Sequence, residues 1–203
     1  MRLLLMGPPG SGKGTQAKRI CANLEVPHLS TGDILRAEVA AGTSLGQSVA
    51  ATMAAGALVS DDTVCAIVVD RIRSPGADRG FVLDGFPRTL SQAIALNQAL
   101  ESHPLTAVIE LVVPEEALFE RIRLRANASI DAGTLQRADD NEATLRSRLD
   151  SYRAVTAPVR AYYADRSPLF QIDGLVDVDR VTDEIFRHLS TMKTTPRNAV
   201  GLK

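Results

Sequence analysis

Two cysteines and three histidines are all that a chain of 203 residues offers of the side chains that build disulfide frameworks or soft-metal sites. Cys21 and Cys65 each sit in an apolar helical pattern, with no further Cys or His at metal spacing. They read as buried thiols in a reducing compartment, which excludes a disulfide scaffold and leaves no expected structural zinc. His28, His103 and His188 stand in no catalytic or metal pattern and read as ordinary surface or turn residues. Long apolar runs are also missing. Leu3 to Met6 gives way at once to glycine and proline, too short for a signal peptide or a membrane span, and no later stretch reaches the required length. The expectation is a cytoplasmic protein with no membrane partner. Neither charge sign dominates: 23 basic residues face 24 acidic ones, for a net charge of -1. No global field would hold nucleic acid, although a local basic cleft is allowed. Internal repeats and low-complexity tracts are absent, and the length suits one well-buried core carrying an insertion or two.

What is present is the alternation of an α/β fold. Leu3 to Met6 forms a strand candidate ending in Gly7-Pro8-Pro9-Gly10-Ser11-Gly12, followed by a helical pattern through Ala17, Ile20, Cys21 and Leu24. Phe81 to Leu83, Val108 to Val113 and Leu169 to Ile172 are further strands, and Pro27 to Leu29 supplies a very short one. Phe81 to Leu83 and Val108 to Val113 run without alternation, as expected where helices cover both faces of a parallel sheet. Helical spacing recurs at Val64 to Ile72, and again at Leu118, Phe119 and Ile122 after a proline suited to a first turn. One long helix is expected from near Asn141 through Leu145, Leu149, Tyr152, Val159 and Tyr163. A last helix carries Val178, Val181, Ile185 and Leu189, and residues 191–203 lack periodicity and read as a frayed or disordered tail. Residues 30–60, rich in alanine and glycine, look like a small helical insertion with little core of its own. Residues 126–138 read as a polar loop, and both stretches have the sparse contacts of moving parts.

The run Gly7 to Lys13 matches the first seven positions of a phosphate-binding loop. Glycines let backbone N–H groups converge on phosphate oxygens at the positive end of the following helix, and Lys13 reaches the outer phosphates as a mobile point charge. The standard pattern places Ser or Thr directly after the lysine. Here Gly14 takes that place and the hydroxyl arrives at Thr15, so a metal ion is expected to depend less on direct ligation by the loop.

From Gly7 to Thr15 the chain resembles the adenylate kinases. Three further motifs extend the resemblance from Met1 to about Leu189: Ser30-Thr31-Gly32-Asp33-Ile34-Leu35-Arg36, Leu83-Asp84-Gly85-Phe86-Pro87-Arg88-Thr89, and Thr156-Ala157-Pro158 with Tyr162-Tyr163. A lone phosphate loop would indicate only a nucleotide; the set together is specific to nucleoside monophosphate kinases. The resemblance implies a P-loop three-layer α/β fold with a five-stranded parallel sheet. It divides the chain into a core of residues 1–29, 61–122 and 140–190, a nucleoside-monophosphate insertion of residues 30–60, and a short lid of residues 123–139 without zinc. It further implies transfer of the terminal phosphoryl group of ATP to AMP with Mg2+, by a monomer whose partners are nucleotides and not nucleic acid.

Carried over residue by residue, the resemblance places ATP on Gly10, Ser11, Gly12, Lys13, Gly14 and Thr15, with Arg121 and Gly174 near its base. AMP is expected at Thr31, Arg36, Met53, Leu58, Val59, Gly85, Arg88 and Gln92. Thr31 and Gln92 are the implied adenine readers, and Arg36 and Arg88 the holders of the α-phosphate. Arg125, Arg137 and Arg148 are implied around the transferring group, Arg137 within Arg137-Ala138-Asp139-Asp140. Asp84 would orient Mg2+ through water, and Asp33 would support the arginine network or the water shell of Mg2+. No Ser-His-Asp or Cys-His set is visible and none is needed, because a monophosphate is already a competent nucleophile once two anions are positioned and neutralised. Two alternatives stay open on the residues: a UMP/CMP kinase using the same machinery, and a catalytically inactive nucleotide-sensing protein.

Overall fold

The computed structural model describes residues 1–131 and 142–193, the side chains of 125–131 and 193 excepted. Five strands form one all-parallel sheet: β1 (Arg2–Met6), β2 (His28–Ser30), β3 (Phe81–Asp84), β4 (Ala107–Val112) and β5 (Leu169–Asp173), in the order β2-β3-β1-β4-β5. Chain direction explains the gathering of function at one edge. In a parallel sheet every carboxyl end lies on the same side, and β1 sits where the connections diverge, the crevice in which open α/β sheets bind ligands.

Burial on both faces accounts for the continuous apolar strands. Leu4 and Met6 point to one side with Leu83, Val108 and Phe81, where they meet Val64 and Val68 of α4 (Asp61–Arg73), Ala93 and Leu96 of α5 (Leu90–Ala99), and Val159 and Tyr163 of α8 (Val159–Ala164). Leu3 and Leu5 point to the other side, against Ala17 and Ile20 of α1 (Lys13–Leu24) and Val181, Ile185 and Leu189 of α9 (Val178–Lys193). A smaller cluster joins α6 (Glu115–Asp131) to α7 (Glu142–Ser151) through Leu118, Ile122, Leu145 and Leu149. Residues 30–60 hold α2 (Thr31–Ala40) and α3 (Ser44–Ala54), each opened by a side-chain cap: Ser30 accepts from the Asp33 N–H and Thr43 from the Gly46 N–H. Both thiols are free and partly exposed, and burial pushes Cys21 up to about 11.

The structure departs from the sequence expectations at five places. The helix expected from Asn141 to Tyr163 is broken: α7 ends at Ser151, a π-helical turn runs Tyr152–Thr156, and α8 starts at Val159. Pro158 has no N–H to continue the ladder, and the Ala157 N–H reaches back five residues to the Tyr152 carbonyl at 2.7 Å. Asn141 itself lies outside the described residues. Residues 126–131, expected as loop, continue α6, since Ala126 and Ala128 favour helix and no glycine or proline intervenes before Gly133. Helix α5 lacks a strong apolar periodicity, since Ser91, Gln92, Asn97 and Gln98 interrupt it; its signal is Thr89 at the cap, whose Oγ1 accepts from the Gln92 N–H at 3.1 Å. The tail begins later than Thr191, because α9 extends to Lys193 and Met192 packs on the core; residues 194–203 lie outside the described part. The short second strand is His28–Ser30, one residue on from its expected place.

Leu83, fully buried in the central part of the sheet, tests the packing. Leu83→Ala is expected to cost about 3 kcal/mol of unfolding free energy, measured by urea denaturation.

Candidate active site

The strand β1 ends at Met6 and the chain turns at once around the glycine-rich loop. Gly7 adopts φ +136, and a Cβ there would stand 2.6 Å from the Leu111 carbonyl oxygen of β4. Only glycine fits a loop pressed this closely on the sheet edge. Helix α1 then begins at Lys13 with no acidic residue in its first turn, so its positive end is left for an anion. The Lys13 ammonium bends back over the loop, donating to the carbonyls of Gly7 and Pro8 at 2.8 Å each. Arg121, on α6, donates to the Gly174 carbonyl at 2.6 Å and to that of Ser11 at 3.5 Å. It thereby ties the loop to the turn after β5.

These elements wall a cleft of about 800 Å3. Its lining includes Gly10 to Thr15, Arg121 and Gly174 on one side and Asp84, Arg36, Arg88 and Arg148 on the other. A smaller pocket adjoins it, lined by Thr31, Met53, Val59 and Gln92 among others. Arg36, Leu58, Gly85, Arg88 and Arg148 border both cavities. The sheet edge has brought together residues separated by well over a hundred positions. Arg125 falls on α6 but its side chain lies outside the described residues, as do residues 132–139 of the expected lid, Arg137 among them.

Electrostatics in the cleft are one-sided despite the balanced chain. Among the described residues, Lys13, Lys18, Arg19, Arg36, Arg88, Arg121 and Arg148 line it against only Asp33 and Asp84. Asp33 pairs with Arg36 at 2.6 Å. Asp84 ends β3 and is nearly buried. Burial pushes its carboxyl up, but the His28 ring and the charges of Lys13 and Arg88 outweigh burial and hold it below the ordinary carboxylate value. A Cβ on Gly14 would come within 3.6 Å of Asp84 Oδ2, so the missing side chain after the lysine leaves the carboxylate open to the loop. Here the sequence reading needs correction: His28 is not a surface or turn residue. It lies in β2, half-buried, with Nε2 3.5 Å from Asp84 Oδ2, too poorly disposed for a hydrogen bond and without another partner among the described residues. The parallel pairing of β2 with β3 puts it there, with Ser30 facing Asp84 in register, and nothing local in the sequence carries that information.

The turn after β3 organises the second pocket. Gly85, at φ +81, offers its carbonyl to both Thr31 Oγ1 at 2.9 Å and Arg88 Nε at 2.7 Å. A Cβ there would press on both side chains, at 3.1 Å and 3.2 Å. Thr156, in the π-helical turn, donates to the Arg88 carbonyl at 2.9 Å, so the break in the long helix fixes the backbone of a cleft arginine. Gln92 is buried with both ends of its amide engaged: Oε1 accepts from the Arg88 N–H and Nε2 donates to Asp61 Oδ1, each at 2.7 Å. Asp61, in the first turn of α4, also accepts from the hydroxyls of Thr89, at 2.8 Å, and Ser91. Sequence reasoning passed over Asp61, and the polar start of α5 was the available signal. Tyr152, another cleft residue it missed, has its phenol pushed up to about 12 by burial and the Glu110 charge.

Comparison with known proteins gives one consistent result. The family model described as adenylate kinase matches residues 5–168. An adenylate kinase of Beijerinckia indica is 54% identical over 187 residues, which cover 91% of this chain and 97% of that one. That of Agrobacterium fabrum is 52% identical over 191 residues, 93% and 97% of the two chains. That of Methylobacterium radiotolerans is 51% identical over 187 residues, 91% and 94% of the two.

The Asp61 cluster carries a pH dependence of stability. Burial pushes this carboxyl up, but the donors Ser91, Thr89 and Gln92 outweigh it and hold the group below its ordinary value of 3.8. The folded chain therefore binds fewer protons than the unfolded one. That contribution is fully present above the ordinary value and is lost as pH falls through the lower folded value. Asp61→Asn is expected to remove this part of the acid sensitivity, seen as a shallower fall of the melting temperature with acidification than in the parent.

Proposed function

The chain belongs to the adenylate kinase family, and we propose that its cleft holds ATP on the glycine-rich loop and AMP in the adjoining pocket. The activity is reversible phosphoryl transfer from ATP to AMP, giving two ADP. The observation that carries the assignment of sites is that the two cavities meet at Arg36, Arg88 and Arg148, so two anions bound in them have cations at their junction.

Each residue then has a task that follows from its place. The loop N–H groups and the start of α1 receive the phosphates of ATP, and Lys13, released from the Gly7 and Pro8 carbonyls, follows the transferring group. Arg121 and Gly174 border the ATP base. Arg36 and Arg88 hold the AMP phosphate, with Arg88 aimed by the Gly85 carbonyl and the Thr156 bond to its backbone. Arg148 stands at the junction, and Arg125 and Arg137, whose side chains lie outside the described residues, are assigned to the transferring group by the family resemblance alone. Thr31 and Gln92 read adenine beside the apolar surface of Met53, Leu58 and Val59. Transfer needs no covalent intermediate. Repulsion between the substrates is cancelled by groups positioned before the reaction, which reorganise little as charge moves.

Magnesium fits the same residues. Among the described residues no group of three or more His, Cys, Asp or Glu could hold a metal ion, which suits a cation that keeps its waters and takes most of its ligands from nucleotide phosphates. Asp84, nearly buried, ionised and beside the Gly14 gap, would hold it through water. Bound there, it supplies charge neutralisation at the phosphates.

The movable part on the acceptor side is residues 30–60, which would close on the core and exclude water as a competing acceptor; the lid expected at 123–139 lies partly outside the described residues. The protein acts as a monomer in the cytoplasm. No described helix is long and apolar enough to cross a membrane.

Two variants test the assignment. Lys13→Met is expected to fold and to lose at least about 100-fold in kcat, read by coupled detection of ADP from ATP and AMP; turnover near the parent's rejects the role. Arg88→Ala is expected to weaken AMP about tenfold or more while ATP affinity changes by less than about threefold, measured by separate titration of each nucleotide. A panel of AMP, CMP, UMP and GMP as acceptors separates this activity from a pyrimidine kinase, and the absence of any ADP would leave only a sensing role.

A further inference from the structure

We infer that Asp61 is a specificity-determining positioning residue, which locks the Gln92 amide so that the acceptor pocket reads a base by its amino group and rejects the matching oxo base. The inference rests on the reading of Gln92 as a contact to the acceptor base.

The chemistry of the two partners makes the lock directional. A carboxylate such as Asp61 only accepts hydrogen bonds, and a backbone N–H such as that of Arg88 only donates. Gln92 lies between them, its Nε2 against Asp61 Oδ1 and its Oε1 against the Arg88 N–H, both at 2.7 Å. Turning the amide over would set oxygen against carboxylate and N–H against N–H, two repulsive contacts at a side chain only 2% exposed. A free glutamine can serve either kind of base edge by rotating its last torsion. This one cannot.

What remains for a ligand is therefore of fixed polarity: one N–H of Nε2 and one lone pair of Oε1. That pair matches an edge with a ring acceptor beside an exocyclic amino group, as in adenine. An edge with a ring N–H beside an oxo group, as in hypoxanthine or guanine, presents the reverse and leaves buried groups facing their own kind. Sites built on hydrogen bonds reject such mismatches far better than apolar slots do.

Asp61 is itself held by more than Gln92. Thr89 Oγ1 and Ser91 Oγ both donate to its other oxygen, Oδ2, and Thr89 in turn caps the helix that carries Gln92. Three donors within four residues at the start of α5, Thr89, Ser91 and Gln92, thus converge on one carboxylate at the start of α4, an arrangement that fixes its orientation without any contact to substrate.

The test compares AMP with inosine monophosphate, which differs at the base edge alone, as acceptors for the full chain. The quantity read is the ratio of their kcat/KM values, which is independent of the fraction of folded enzyme. Asp61→Ala is expected to lower that ratio about tenfold, with the KM for ATP unchanged; Asp61→Asn, which keeps an acceptor oxygen but loses the charge, lowers it by less. Gln92→Ala lowers the ratio too, and adding Asp61→Ala to it produces no further change. If Gln92→Ala lowers the ratio while both Asp61 variants keep the parent value, the lock is refuted and the base contact stands. A parent-like ratio in Gln92→Ala removes the base contact and the lock together. Loss of thermal stability in Asp61→Ala with an unaltered ratio marks a purely structural residue and likewise overturns the proposal.

Discussion

The cleft depends on one buried negative charge. Asp84 lies at the carboxyl end of β3, nearly enclosed, with Lys13, Arg88 and His28 around it. A carboxylate in such a place is tolerated only while its cationic neighbours stay close, and those neighbours are tolerated so near one another only because it is there. The cationic side chains that line the cleft are thereby held close to the sheet edge. In water the same side chains would be solvated and free to move; here the sheet edge has already paid their ordering entropy.

Around that charge, the helix ends and turns set the details. The glycine loop gives up side chains so that backbone can approach an anion, and Gly85 gives up its own so that Thr31 and Arg88 can share one carbonyl. The π-helical turn looks like a defect in a long helix. It is what carries Thr156 to the Arg88 backbone. Asp61 acts at one remove in the same way, through Gln92 and the cap of α5. In each case one residue, through a hydrogen bond or a missing side chain, fixes the placement of another that lines the cavities.

This arrangement also reconciles a net charge of -1 with two polyanionic substrates. Surface ion pairs such as Arg123 with Glu120 and Arg146 with Glu142 absorb much of the basic content at exposed positions of little energetic weight. The cations that line the cleft face few carboxylates. Concentration of one sign in a concave site, and not the total charge, sets the local field.

The sequence by itself determined the central strands β1, β3 and β4, because segments buried on both faces are almost entirely apolar, and it determined the phosphate loop, because only glycines at that spacing allow the backbone to close on an anion. The motif residues were legible for the same local reason. Tertiary structure alone decided what pairs across the sheet and between helices. His28 reads as an ordinary surface or turn residue until β2 is laid beside β3, and Asp61 carries no signal until α5 arrives with three donors. The break before Pro158 was half legible: proline forecasts an interruption, but the carbonyl that the freed Thr156 would serve belongs to a residue 68 positions away. Hydrophobic pattern and backbone sterics act over a few residues and can be read along the chain. Charge pairing and amide orientation act through space, and exist only once the chain has folded.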